Sequence, residues 1–299
     1  DPTFDTPLDD EGVTGSVIVP STGYVSDPRL ATSNLMEAAK ATGNVDFVFK
    51  RSITGAAKKN GKRIDTVHLS DSTSIDAPVL VNATGPHSSL FNQAIFDRAC
   101  PDDSRVRTRA LRAEVGVVDA PPGINLDKHG LIAPDFDAGI YLRPEFGNRL
   151  LVGSLDPDCD VKTFEDDPTK QDTGLGSMWE HNMFRAGLRM PSLQVPSVGR
   201  NARGIVSMYD STPDWTPILD KSSLGGYYQA IGTNGNCFKN APVFGEAMAM
   251  LIEKVEGGGS VDHDEVPLQY QLQRVGISLD LGEFSRLRKL HDTLGGVCG

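Results

Sequence analysis

The chain has 299 residues, 38% hydrophobic and 23% charged, which is the make-up of a globular protein with room for one large domain or two ordinary ones. Its 29 basic and 40 acidic residues leave a net charge of −11, which argues against a nucleic-acid backbone as partner. No window of about 18 apolar residues occurs, so no membrane span is expected. Cys100, Cys159, Cys237 and Cys298 are scattered with no C-x-x-C pair, which points away from a metal site and toward reduced thiols in a cytoplasm.

The opening DPTFDTPLDDEG is acidic and turn-rich, without the basic start or apolar run of a signal peptide. Residues 17–26, VIVPSTGYVS, read as a strand and turn. A helix is expected next, with Asp27 as N-cap, Pro28 at its first position, Gly43 beyond its end, and Leu30, Leu35, Met36 and Ala39 as its apolar stripe. NVDFVFKRSITGA (44–56) alternates as a strand, and KKNGK (58–62) turns the chain at a solvated hairpin tip. RIDTVHLSDSTSIDA (63–77) gives two short strands, PVLVNATG (78–85) a buried strand ending in a glycine turn, and HSSLFNQAIF (87–96) a helix. The sequon at Asn82 lies within that buried strand and reads as accidental.

Between about 105 and 205 the character changes. TRALRAEVGVVDA (108–120), GIYLRPE (139–145) and RLLVGSL (149–155) are short strands between Pro, Gly and Asp turns, the pattern of a mostly antiparallel sheet. A helical stretch follows in DTGLGSMWEHNMFRAGL (172–188), and then YYQAIGTNGNCFKNAPVFGEAMAML (227–251) runs from strand through glycine turn into helix. EGGGSVDHDEVP (256–267) reads as a linker and 268–294 as a polar, partly helical tail.

Four blocks resemble the D-amino-acid oxidase and sarcosine oxidase family of FAD-dependent enzymes: residues 23–56, 77–89, 141–154 and 207–251. The last is the most specific, in its spacing from Met208-Tyr209 through Thr212-Pro213-Asp214 to Gly232, Gly235 and Phe238-Lys239. The resemblance implies an α/β fold, with part of a Rossmann-like FAD-binding domain of the glutathione-reductase type and an antiparallel-sheet substrate domain. The expected bounds are 1–104 and 206–256 for the FAD-binding part, 105–205 for the substrate domain and 257–299 for linker and tail. The family's G-x-G-x-x-G strand–helix unit is expected before Asp1. A second chain, or a fragment of the same precursor, is therefore expected to carry it, making a hetero-oligomer.

The same resemblance assigns roles to single residues. Gly232, Thr233, Asn234, Gly235 and Asn236 are expected against the flavin ring, where backbone N–H groups and the following helix suit an electron-rich edge. Ala83, Thr84 and Gly85 are expected near the adenosine diphosphate portion, and the Ile53 backbone near the adenine. Lys239 matches a lysine that helps bind the substrate carboxylate, and Tyr209 an active-site tyrosine. Arg143, on a strand with apolar neighbours, is a candidate for a bidentate carboxylate contact with Tyr141 lining the same pocket; an edge-strand arginine facing solvent stays open. Arg109, Arg112 and Glu114 alternate along a strand and are expected to pair internally, and His87 to serve helix entry.

Two departures bear on activity. Ser207 stands where relatives with a covalent flavin have cysteine, so FAD is expected to be held non-covalently. Leu151 and Val152 stand near the position of an oxygen-activating lysine, which favours a dehydrogenase over a fast oxidase. The expected reaction is oxidation of the C–N bond of an amino acid or secondary amine. Oxidation of a 2-hydroxy acid or glycerol 3-phosphate, or a non-catalytic partner subunit, are the alternatives.

Overall fold

The computed structural model describes residues 15–21, 23–157, 159–197, 201–258 and 261–292. Residues 1–14, which hold the acidic opening, Gly259 and Ser260 of the linker, and Cys298 lie outside them. Two compact units emerge. Unit 1 comprises 1–50, 114–161 and 173–206, and unit 2 comprises 51–113, 162–172 and 207–299.

In unit 1 the first helix, α1 (Pro28–Ala41), starts as its sequence dictates: the Asp27 carboxylate accepts the N–H groups of Arg29 and Leu30 at 2.9 and 3.0 Å. Its apolar stripe is nonetheless uncovered, with no buried residue along the helix. Among the described residues, 17–26 form no strand, and of the strand expected over 44–56 only 53–56 is one, at the start of β1 (Ile53–Lys59), while 45–49 are irregular. Val17, Ile18, Phe47 and Phe49 are exposed there. Extended segments keep their ladder only where a neighbour supplies hydrogen bonds.

Strands are numbered in chain order. Unit 2 opens with β1 (Ile53–Lys59), β2 (Arg63–Leu69) and β3 (Ser74–Asp76), an antiparallel meander. Asn60 and Gly61 both take positive φ, 53° and 69°, and make the tight turn that the KKNGK segment called for. Strand β4 (Leu80–Asn82) leads to α2 (Ser88–Phe96), and β5 (Arg109–Asp119) then runs from unit 2 into unit 1.

The rest of unit 1 is an antiparallel sheet of β5, β8 (Arg149–Ser154), β7 (Ile140–Glu145) and β6 (Ala133–Asp135), with the one-turn helix α3 (Leu126–His129) beside it. Helix α4 (Ser177–Arg189) covers the sheet. Trp179, Met183 and Ala186 pack on Val118, Ile140, Leu150 and Val152. Close approach is possible because Gly116 has no side chain; a Cβ there would lie 2.3 Å from the Met183 methyl. The buried Glu114 carboxylate accepts the N–H groups of Gly176 and Trp179 at 2.7 and 3.0 Å, so it caps α4 from another strand. Arg109, expected to pair with it, stacks instead on the Phe164 ring at 3.7 Å, within the β5–β9 pair, where β9 is Phe164–Glu165.

Strand β10 (Gly204–Ser211) returns the chain to unit 2, where β11 (Ile218–Lys221) and β12 (Tyr227–Ile231) follow. Their sheet has the order β11-β12-β4, with β12 antiparallel to β11 and parallel to β4. Adjacent Tyr227 and Tyr228 face opposite sides of it. Tyr227 joins Ile64, Leu80 and Ile95 on the α2 side. Tyr228 joins Leu219, Met248 and Leu251 under α5 (Ala241–Glu256).

The tail corrects the sequence reading. Residues 268–292 are not helical apart from a 3-10 turn at Leu281–Phe284; they form a hairpin of β13 (Gln269–Leu272) and β14 (Ile277–Asp280). Leu281 is buried in the α5 core. Arg286, 1% exposed, pairs with Asp103, Asp220 and Asp264, and Arg288 pairs with Asp214 at 2.8 Å. The tail is therefore an integral part of unit 2.

Candidate functional site

Strands β4 and β12 lie side by side and parallel, with Tyr227 opposite Leu80 and Gln229 opposite Asn82. Each ends in a glycine turn that enters a helix. In open α/β sheets ligands bind outside the carboxyl ends of parallel strands. The two turns gather Ala83, Thr84, Gly85, Gly232, Thr233, Asn234, Gly235, Asn236 and Lys239 at this one end of the sheet.

The first turn is held from below. Asn82 is fully buried; its Oδ1 accepts the Thr84 N–H at 3.1 Å and the Thr84 hydroxyl at 2.7 Å, while its Nδ2 donates to Asn92 at 3.1 Å. Ala83 and Thr84 are exposed, and Gly85 has φ +57° with open space where a Cβ would project. A ligand can thus approach the Gly85 backbone directly. His87 is exposed at the entry to α2.

The second turn is tighter. Gly232 has φ +68°, and a Cβ there would lie 2.5 Å from the Thr212 methyl. Asn234 works inside the turn: its Oδ1 accepts the Thr212 N–H at 3.1 Å and its Nδ2 donates to the Gly232 carbonyl at 2.6 Å. Thr233, Gly235 and Asn236 are half-buried. Lys239 is exposed on the 3-10 turn Cys237–Asn240, one step before α5 rather than on its first turn. Beside it, burial pushes the Cys237 thiol up from its ordinary value. No side chain caps the start of α5; its Ala241 N–H bonds to the Phe238 carbonyl and Pro242 has none to offer.

The remaining expected residues lie elsewhere. Ile53 begins β1, opposite Leu69 in the meander. Tyr209 is half-buried on β10. In unit 1, Tyr141 and Arg143 project on the same side of β7, which lies between β6 and β8 and so is not an edge strand. The Tyr141 ring covers Gly153, whose Cβ would meet it at 2.3 Å. Arg143 contacts Glu145 at 3.1 Å and the Tyr24 ring at 5.2 Å, so a substrate carboxylate would compete with Glu145 for it.

Sequence reasoning passed over Asp210, Ser88, Thr108 and Thr212. Asp210 is 3% exposed and its carboxylate accepts the Gly232 N–H. Burial raises its carboxyl to about 6, against the pull of that N–H and of the Thr108 and Ser88 hydroxyls. The visible signal was an acidic residue inside an alternating strand segment, SMYDST. Among the described residues no group of His, Cys, Asp and Glu is placed to hold a metal ion, and no helix is long and apolar enough to cross a membrane.

A fold with two glycine turns at the carboxyl ends of parallel strands, joined to an antiparallel sheet unit, defines a dinucleotide-type α/β protein. Residues 3–251 match the family described as DAO: FAD dependent oxidoreductase, and the chain belongs to that family. FAD is the cofactor of the family, and the open Gly85 backbone and the Gly232 turn fit a flavin nucleotide. No curated protein matches the sequence. Among solved structures, L-proline dehydrogenase from P. horikoshii shares 18% identity at a TM-score of 0.63, over 88% of this chain and 59% of that one. Glycine oxidase from Geobacillus kaustophilus shares 18% at 0.60, over 93% and 61%. Iminodiacetate oxidase from Chelativorans sp. BNC1 shares 16% at 0.52, over 79% and 57%. The chain spans about three fifths of the length of the first two of these proteins.

Proposed function

We propose that this chain is one part of an FAD-dependent oxidoreductase that oxidises the C–N bond of an amino acid or secondary amine, with the dinucleotide fingerprint on a second polypeptide. The observation that carries the reading is the pair of glycine turns at the carboxyl ends of β4 and β12. A second feature supports the split: among the described residues β4 is an edge of its sheet, with β12 on one side and no strand on the other. A parallel edge strand next to a cofactor turn calls for a neighbour.

When bound, FAD supplies the two-electron acceptor. The neutral amine would give up hydride from its α-carbon and become an iminium ion, which loses its N–H proton to water to leave as an imine that water then hydrolyses. The chain's work is to orient the amine and keep water from it, without a dedicated base. Lys239, exposed at the flavin turn, is assigned to the substrate carboxylate, and Tyr209 to the substrate contact near it. Arg143 and Tyr141 on β7 are assigned to recognition within unit 1. With Ser207 beside Met208 the flavin is held non-covalently. Buried Leu151 and Val152 place no cation for oxygen activation, which favours a dehydrogenase. The free thiols of Cys100, Cys159 and Cys237 fit a reducing cytoplasm.

The test is a visible absorption spectrum of the purified protein beside a denaturing gel. A flavin spectrum with a second band supports the reading, and amines are then screened by bleaching of that spectrum. A colourless single band overturns it. In the assembled enzyme, Lys239→Met is expected to raise KM for an acidic amine about tenfold or more with flavin retained. Unchanged turnover at low substrate would remove Lys239 from the site and favour a non-catalytic role for this chain.

A further inference from the structure

Asp210 sits next to last on β10 and touches both cofactor turns. Its carboxylate accepts the N–H of Gly232, and its backbone carbonyl accepts the N–H of Asn234 at 3.0 Å. The hydroxyls of Ser88 and Thr108 face the same carboxylate. Ser88 opens α2 and donates to the Gly85 carbonyl at 2.5 Å. A continuous set of polar contacts thus runs from the Gly85 turn, through Ser88 and Asp210, to the Gly232 turn.

The chemistry of this carboxylate is unusual for a structural role. Elsewhere in unit 2 the buried acids Asp214 and Asp220 are matched by Arg288 and Arg286. The groups that act on Asp210 are neutral: one backbone N–H that donates to it and two hydroxyls beside it. A buried acid without a cation is costly to ionise, so stability alone gives no reason to keep it. Such groups concentrate where a ligand is handled.

We propose that Asp210 is a positioning residue for the flavin-bearing turns. It fixes the Gly232 backbone relative to the Gly85–Ser88 turn, so that both turns are set in place before the ligand arrives. Pre-alignment raises affinity by removing the ordering cost from the binding step. The inference rests on the flavin reading of this end of the sheet.

Two measurements on the assembled protein separate the inference from that reading. The first is hydrogen exchange without ligand at residues 84–88 and 232–236. Asp210→Ala is expected to speed exchange about tenfold or more in both turns while leaving Tyr227–Ile231 unchanged. Asp210→Asn, whose amide oxygen still accepts the Gly232 N–H, is expected to stay within about threefold of the parent. The second is FAD affinity from quenching of flavin fluorescence, expected to weaken about tenfold or more in Asp210→Ala and to recover in Asp210→Asn. Unchanged exchange in Asp210→Ala, or faster exchange in one turn alone, overturns the inference. Equal loss of affinity in both variants at equal melting temperature overturns it too, because charge and not geometry would be at work. If Asp210→Ala does not fold, Ser88→Ala and Thr108→Val replace it, and the first must speed exchange at 232–236. A parent protein that binds no FAD sinks the flavin reading, while the exchange data still decide whether Asp210 joins the turns.

Discussion

Asp210 makes a second statement, about stability. Its folded carboxyl value, about 6, lies above the ordinary 3.8, so the native state holds this proton more tightly than the unfolded chain. That contribution is complete below about pH 4 and is lost as pH rises through about 6. Asp210→Asn is therefore expected to flatten the fall in stability between those values, and at pH 8 to gain about 1–3 kcal/mol over the parent. Parallel melting curves across pH 4–8 for the two proteins would contradict it. Residue-scale features written in local chemistry were legible: the Asp27 cap, the Asn60-Gly61 turn and the glycines 85 and 232 follow from backbone rules that act within a few positions. Asp210 was not, because only its burial, set by Ser88 and Thr108 far away in sequence, distinguishes it from a surface acid. Asn234 is assigned to the ligand through the backbone of its turn, and its side chain holds that turn, which its place in the sequence did not tell.

At the scale of elements, the sequence pattern located α1, α2, α4, α5 and the strands β5, β7 and β8, where hydrophobic periodicity and turn residues agree. It misread the tail. The segment reads as a polar, partly helical tail, whereas it forms a hairpin and the guanidiniums of Arg286 and Arg288 are buried against acids supplied by Asp103, Asp214, Asp220 and Asp264. Periodicity carries no trace of ion pairs that close over such separations. Arg286→Ala leaves Asp220 buried without its cation and is expected to cost about 3–5 kcal/mol in unfolding free energy; a loss below about 1 kcal/mol in denaturant melts would show the pair to be dispensable. The Asp264 carboxyl is held down at about 2 by hydrogen bonds and charge from Arg286 and Lys221, which outweigh its burial. Its contribution is present above about pH 4 and lost as pH falls through about 2. On the other unit, Glu114→Ala uncaps α4 and is expected to cost about 1–2 kcal/mol. A melting temperature equal to the parent's would reject the cap.

At the scale of the whole molecule, the residues before β1 and the edge of β4 are the places where sequence and structure part. Segments 17–19 and 45–49 carry the alternation of strands, but among the described residues they pair with nothing and leave Val17 93% and Phe49 64% exposed. Pattern reports what a segment can become when a neighbour is present; it is silent about whether the neighbour belongs to the same chain. The isolated 1–299 chain is expected to bind a hydrophobic dye and to associate at micromolar concentration. Sedimentation as a monomer with a sharp cooperative melt would contradict that, and with it the call for a partner strand.

The interleaving of the two units has a consequence for how the protein is made. The last stretch of unit 1 ends at Val206, whereas unit 2 needs Arg286 and Arg288 from near the end of the chain to neutralise Asp220 and Asp214. On the ribosome, the antiparallel unit has its whole sequence in hand some eighty residues before the cofactor-bearing unit does, a wait of about 4–16 seconds at ordinary elongation rates. Until Arg286 and Arg288 follow, Asp220 and Asp214 lack the cations that pair with them. The cofactor-bearing unit is thus completed later than the antiparallel one, and truncation before Arg286 is expected to leave Asp220 and Asp214 without their cations while sparing the sheet that was finished first.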